Sequence, residues 1–183
     1  MKRIALIVLA ISLLLLSGCS HSEEKEFAEF AAQLAKADTV SFNGHVTAEY
    51  SALSAQFDLA FTEHDGESEI EVLKPDIVSG VKARVKDGET SLEYEGLMLD
   101  IGNVGDTWLS PMSSLPVFFR AMKDAHLDLA WDEDDMLVVR LVPEDDITVT
   151  VWIDSDSNTP KNAEITYNEK TAIFIDISDW EVK

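Results

Sequence analysis

Apolar residues recur at every second position over most of this chain, and at helical spacing in only two places. Val40, Phe42, Gly44, Val46, Ala48 and Tyr50 alternate with polar neighbours, and Leu53, Ala55, Phe57, Leu59 and Phe61 repeat the pattern after a short break. A period of two belongs to a strand with one buried and one wet face, and the brevity of the break predicts an antiparallel pair. Ile70 and Val72 start a third strand that Pro75 ends, because proline cannot donate to a ladder. Val81, Ala83 and Val85 run into Asp87-Gly88, a hairpin signal, and Leu92 and Tyr94 begin the return. A further short strand covers Leu97 to Ile101. Later strands are predicted over Leu127–Trp131, Met136–Val142, Ile147–Ile153, Ala163–Tyr167 and Ala172–Trp180, with Asp132–Asp135 and Ser155–Pro160 as turns.

The two helical stretches are equally specific. Phe27, Phe30, Ala31 and Leu34 fall at i, i+3, i+4 and i+7, predicting an amphipathic helix over Glu23–Ala37, with Glu23, Glu24 and Glu26 suiting the dipole of its first turn. Ser110-Pro111 followed by Leu115, Phe118, Phe119 and Met122 predicts a second helix over about Met112–Asp124. Roughly ten strands and two helices make an α+β fold, an antiparallel sheet with its helices on one face. A sheet of that width curls, and the concave side becomes an apolar surface. Two helices are too few to cover it densely, so the expectation is an internal groove.

Charge narrows the function classes. The chain of 183 residues carries 14 Lys and Arg against 35 Asp and Glu, a formal net charge of −21. Nucleic acid and anionic lipid headgroups are both recognised through Lys/Arg patches, so neither is an expected partner. The bland reading is a solvated acidic surface, and the sharper one a docking face for a basic protein.

The N-terminus supplies an address. Lys2-Arg3 precede an apolar run from Ile4 to Leu16, the pattern of a secretory leader and short for a membrane span. Leu16-Ser17-Gly18-Cys19 resembles the lipobox of bacterial lipoproteins, and Cys19 is the only cysteine of the chain. The resemblance implies cleavage before Cys19 and attachment of a diacylglyceryl group to its thiol, with acyl chains such as palmitate holding the protein at the membrane. Two acyl chains give stable anchoring where one gives only reversible binding. The expected organisation is a lipoprotein signal peptide over residues 1–18, a lipidated Cys19 with a short tether over 19–26, and a single domain over 27–183. The expected location is the extracytoplasmic face of the cell membrane, or the outer membrane in a host that has one.

Motifs for chemistry are sparse. Asp154-x-Asp156-x-Asn158 opens like a calcium loop, but Thr159 stands where glycine is needed and Ile165 where a bidentate Glu belongs, so it reads as an Asx-rich turn. His21, His45, His64 and His126 have no H-x-x-x-H spacing or cysteine partner, and no metal or cofactor is expected. There is no G-x-S-x-G elbow, P-loop or G-x-G-x-x-G in the sequence, no catalytic residue is assigned, and the chain is read as non-enzymatic.

The order of elements is similar to the superfamily of periplasmic lipoprotein carriers typified by LolA, LolB, LppX and the sensor MucB/RseB. The likeness covers about Phe27 to Val182. It rests on the N-terminal helix, the run of strands, the Pro-marked helix between Ser110 and Asp124, and a closing segment. That segment comprises Trp152-Ile153-Asp154, then Thr159-Pro160-Lys161-Asn162-Ala163-Glu164-Ile165, then Ile173 to Trp180. The resemblance implies an open half-barrel wrapped around its helices, with an apolar cavity. On that reading Phe42, Val46, Phe57, Leu59, Phe61, Phe118, Phe119 and Met122, otherwise core, line a cavity for a lipid or the acyl chain of another lipoprotein. The soluble carrier LolA has no acyl anchor, so Cys19 makes this chain more like the anchored members. The rival reading is an anchored adaptor or sensor that binds an exported protein, as MucB/RseB-like members and some germination lipoproteins do.

Overall fold

A computed structural model describes residues 22–50, 53–86, 89–102 and 110–183. Helix α1 (Ser22–Leu34) buries Phe27, Phe30 and Leu34 along one stripe. The strands follow as β1 (Thr39–Tyr50), β2 (Leu53–His64), β3 (Glu67–Lys74), β4 (Lys82–Lys86), β5 (Glu89–Tyr94) and β6 (Leu97–Gly102). Helix α2 (Pro111–Asp124) precedes β7 (His126–Glu133), β8 (Met136–Glu144), β9 (Ile147–Asp154), β10 (Thr159–Tyr167) and β11 (Lys170–Val182). The strands form one 11-stranded sheet in the order β6-β5-β4-β3-β2-β1-β11-β10-β9-β8-β7. Every pairing is antiparallel.

This order follows from hairpins. The first six strands zip outward from β1 and the last five zip outward from β11, and the two meanders join where β1 pairs with β11. The edges β6 and β7 do not pair with each other, so the sheet is a curled, unclosed half-barrel with both helices on its concave side. Type I′ hairpins need a left-handed backbone at both central residues. Here Asp134-Asp135 (φ 48° and 64°) and Asn168-Glu169 (φ 47° and 64°) supply it without glycine.

α2 is held against the middle of the sheet by its sequence. Ser110 caps it, accepting from the Ser113 backbone N–H at 3.1 Å while Ser113 Oγ accepts from the Ser110 N–H at 2.8 Å, and Pro111 fills the first helical position. Leu115, Pro116, Phe118, Phe119, Ala121 and Met122 are all buried on its inner side. Gly44 lets the helix come close: a Cβ there would sit 3.0 Å from Leu115 Cδ2 and 3.4 Å from Ile175 Cγ2.

All eleven strand segments read from the sequence are present among the described residues. The structure shifts the reading in two places. Helix α1 starts at Ser22 and ends at Leu34, where Glu23–Ala37 was expected. β2 runs on to His64, and a 3₁₀ turn (Asp76–Val78) follows Pro75, whose peptide bond to Lys74 is cis. The leader, Cys19 and the Asp87-Gly88 turn lie outside the described residues. Among the described residues no helix is long and apolar enough to cross a membrane.

Candidate functional site

The concave face gathers seven of the eight residues expected to line a cavity into closely packed core. Phe42 and Val46 of β1, Leu59 and Phe61 of β2, and Phe118, Phe119 and Met122 of α2 are each 0–4% exposed. Phe57 is half-buried and packs against the same cluster. Adjacent aromatics touch: Phe42 and Phe61 have ring centroids 4.7 Å apart, Phe61 and Phe119 5.3 Å, and Phe42 meets Phe118 edge-on at 5.6 Å. Trp180 stacks on Phe42 at 5.2 Å and closes the other side. These separations are those of contacting rings, so no acyl chain fits between those rings in this conformation.

At the rim, the space between α2 and strands β2 to β4 leaves a depression of about 220 Å³. It is bounded by Glu63, Ser68, Val85, Phe119, Arg120 and Lys123. That volume lies below the roughly 300–1,000 Å³ of pockets that bury a drug-sized ligand, and its lining is largely polar.

The convex face divides in two. On β7 to β9, Val138 is fully buried yet belongs to no part of the concave core, and its cross-strand partners are Trp131 and Trp152. The Arg140 guanidinium carbon lies 5.8 Å from the centre of the Trp131 ring, and Leu129 beside it is 48% exposed. Next to this apolar strip, Trp152, Asn162, Glu164, Phe174 and Asp176 surround an open depression of about 330 Å³. Phe174 is 36% exposed.

The rest of the convex face is ionic. His45, on the exposed parity as the sequence predicts, places Nδ1 2.6 Å from Asp58 Oδ1, and Lys74 Nζ lies 3.1 Å from Asp58 Oδ2. The hydrogen bond from His45, then that from Lys74, holds the Asp58 carboxyl below its usual value. On β4, Arg84 Nε donates to Glu69 at 2.8 Å with Glu67 and Glu93 nearby, and Lys82 bridges Glu69 and Glu71 at 3.3 and 3.0 Å. The Arg84 hydrogen bond lowers the Glu69 pKa, partly opposed by burial, and those of Glu71 and Glu69 raise that of Lys82. This ladder is a structural staple on a sheet made of acidic strands.

Two further polar arrangements stand apart from this ladder. Asp154 forms an Asx turn, its Oδ1 accepting from the Ser157 N–H at 2.7 Å and from Ser157 Oγ at 2.6 Å, and these bonds lower its pKa. Thr39, His64 and Asp65 lie together at the start of β1. His64 Nδ1 lies 3.0 Å from both Thr39 Oγ1 and the Asp38 carbonyl oxygen, and its Nε2 3.2 Å from Asp65 Oδ2. The sequence reading did not single out Trp131, Glu164, Phe174 and Asp176. Their signal was parity: Trp152 is out of phase with Val149, Val151 and Ile153, and Phe174 with Ile173 and Ile175.

No family model and no curated protein matches the sequence. Among solved structures, the chain is similar to a LolA superfamily protein from Nitrosomonas europaea, at 11% identity and TM-score 0.50 over 85% of this chain and 93% of that one. A DUF1329 family protein from Desulfovibrio piger matches at 12% identity and TM-score 0.50 over 87% and 92%. An uncharacterised conserved protein from Thermus thermophilus matches at 8% identity and TM-score 0.51 over 85% and 86%. At such identities the likeness is one of architecture, and it agrees with the curled, unclosed sheet and its two enclosed helices: the chain has the LolA-like half-barrel fold.

Proposed function

We propose that this protein is a non-enzymatic binding module, tethered by lipid at Cys19 to the extracytoplasmic face of a membrane, whose half-barrel recognises another exported protein. The packing of the concave face carries this reading. Phe42, Phe61, Phe118 and Phe119 occupy the space an acyl chain would need. Hydrocarbon burial yields about 0.8 kcal/mol per CH₂, but an incoming chain would first have to displace buried side chains of α2. Exposed apolar side chains remain outside this core, Leu129 and Phe174 on the convex face and Ile77, Leu97 and Met98 in the 3₁₀ turn and on edge strand β6.

The lipid-carrier reading stays the rival, because α2 borders the rim depression and its outward movement would open the interior. The test is a detergent extract of cells making the full chain. One exported protein recovered at stoichiometric amount, with no bound lipid beyond the anchor, supports the proposal. Stoichiometric binding of a fluorescent fatty acid to the same preparation overturns it. Cys19→Ser tests the tether separately: the chain should leave the membrane fraction and lose label from radioactive palmitate, and retention of either would refute the anchor.

A further inference from the structure

The depression on the convex face has a composition that selects its occupant. Asn162 and Glu164 of β10 stand side by side in the middle, with Trp152 across from Asn162 on β9 and Phe174 across from Glu164 on β11. The two aromatics therefore sit at opposite corners of a four-sided opening. Asp176, two residues beyond Phe174 and facing Asn162, lines the same space. Asn162 Nδ2 donates to Asp176 Oδ1 at 2.7 Å, which fixes that carboxylate and leaves Oδ2 free of that bond. Among the described residues, no hydrogen bond or ion pair reaches the Glu164 carboxylate.

No cation lines the opening. The basic groups of this face are engaged elsewhere: His45, which stands across from Asp176 on β1, places Nδ1 2.6 Å from Asp58, Lys74 also meets Asp58, and Arg140 meets Trp131 and Asp128. Two carboxylates and two ring faces around an opening of about 330 Å³ attract a cation carried on an apolar stem. The net charge of −21 disfavours an anionic partner surface such as lipid headgroups. The site is shallow, so a free amine would gain little there. A protein segment would add contacts along the neighbouring Leu129–Trp131–Val138 strip.

We propose that this depression receives a lysine or arginine side chain of a partner protein, its stem lying between Trp152 and Phe174 and its charge meeting Glu164 and Asp176. The inference rests on the protein-binding reading and adds to it the face and the residue type recognised.

The test uses the full chain in detergent micelles, labelled with 5-fluorotryptophan, whose four indole signals are assigned by single substitutions. The probes are the blocked peptides Gly-Ser-Lys-Ser-Gly and Gly-Ser-Arg-Ser-Gly, with Gly-Ser-Gln-Ser-Gly as the neutral control. The cationic peptides should shift the Trp152 signal and leave that of Trp180, stacked on Phe42 in the core, in place. Glu164→Gln should weaken binding about two- to fivefold, as should 0.5 M salt, since this is a solvated charge pair. Equal shifts with the glutamine peptide, movement of all four signals together, or unchanged affinity in Glu164→Gln/Asp176→Asn would overturn the proposal. So would a concentration-dependent Trp152 shift without peptide, which would mean a second copy covers the face. A photoreactive residue at Thr150 of the anchored chain separates this proposal from the broader one. A protein adduct there that survives Glu164→Gln/Asp176→Asn would sink the pocket while leaving protein binding intact. Cationic peptide binding without any protein adduct from any exposed position would sink the protein-binding reading while leaving the pocket.

Discussion

Replacing Phe118 by alanine measures how full the half-barrel is. The ring is 0% exposed, meets Phe42 edge-on with centroids 5.6 Å apart, and belongs to the layer that α2 lays on the sheet. Truncating a buried phenylalanine in a packed interior costs about 3–5 kcal/mol, the sum of lost transfer energy and the cavity left behind. The edge-to-face contact contributes about 0.5–1.5 kcal/mol beyond its area. Equilibrium urea unfolding followed by tryptophan fluorescence reads the cost. With a slope of about 2 kcal/mol per molar, the midpoint should fall by about 2 M. Arg120→Ala, on the exposed side of the same helix, should change stability by less than about 0.5 kcal/mol. Since whole domains are stable by only about 5–15 kcal/mol, Phe118→Leu provides a milder step in the same direction should the alanine variant not fold. A midpoint fall for Phe118→Ala below about 0.5 M at unchanged slope would mean that the ring faces open space, and the filled-interior reasoning would fail.

Other expectations follow from the same contacts. Gly44→Val should cost about 1–3 kcal/mol through overpacking against Leu115 and Ile175, read by urea midpoint; a neutral result would show that α2 lies farther from β1. Arg84→Gln should destabilise by about 0.5–1 kcal/mol, because Glu67, Glu69 and Glu93 lose their shared cation, and added salt should shrink the difference; a salt-independent loss would point to packing instead. Asp58 and Glu69 have folded-state pKa values held below the ordinary carboxylate range. Their contribution to stability is therefore full above about pH 5 and is lost as pH falls through the folded values. Asp58→Asn should flatten the acid limb of a stability profile, and an unchanged limb would refute the assignment.

The meander was legible because most strands have one buried face, and Val40, Phe42, Val46 and Ala48 mark it by alternation alone. Helix α2 was legible because Ser110-Pro111 and a single apolar stripe fix its start and inner side. The occupancy of the concave face was not legible. Alternation says which side a residue faces, not how far a helix sinks toward it, and that depth depends on the missing Cβ of Gly44 and on both Phe118 and Phe119 being enclosed. Phe119 packs against Phe61 while Phe118 packs against Phe42, so two adjacent helical residues reach two different strands. The convex site was legible only through aromatics on the wrong parity. Its acidic members come from β10 and β11 and meet through register, which a linear pattern does not display.

A half-barrel that keeps its interior for its own side chains has to bind from outside. Native mass spectrometry of the full chain, gently released from membranes, separates this from lipid carriage. The expected mass is that of the chain with its own N-terminal acyl groups, alone or joined to one exported protein. A second, non-covalent lipid bound to the chain at one-to-one stoichiometry would refute the filled interior.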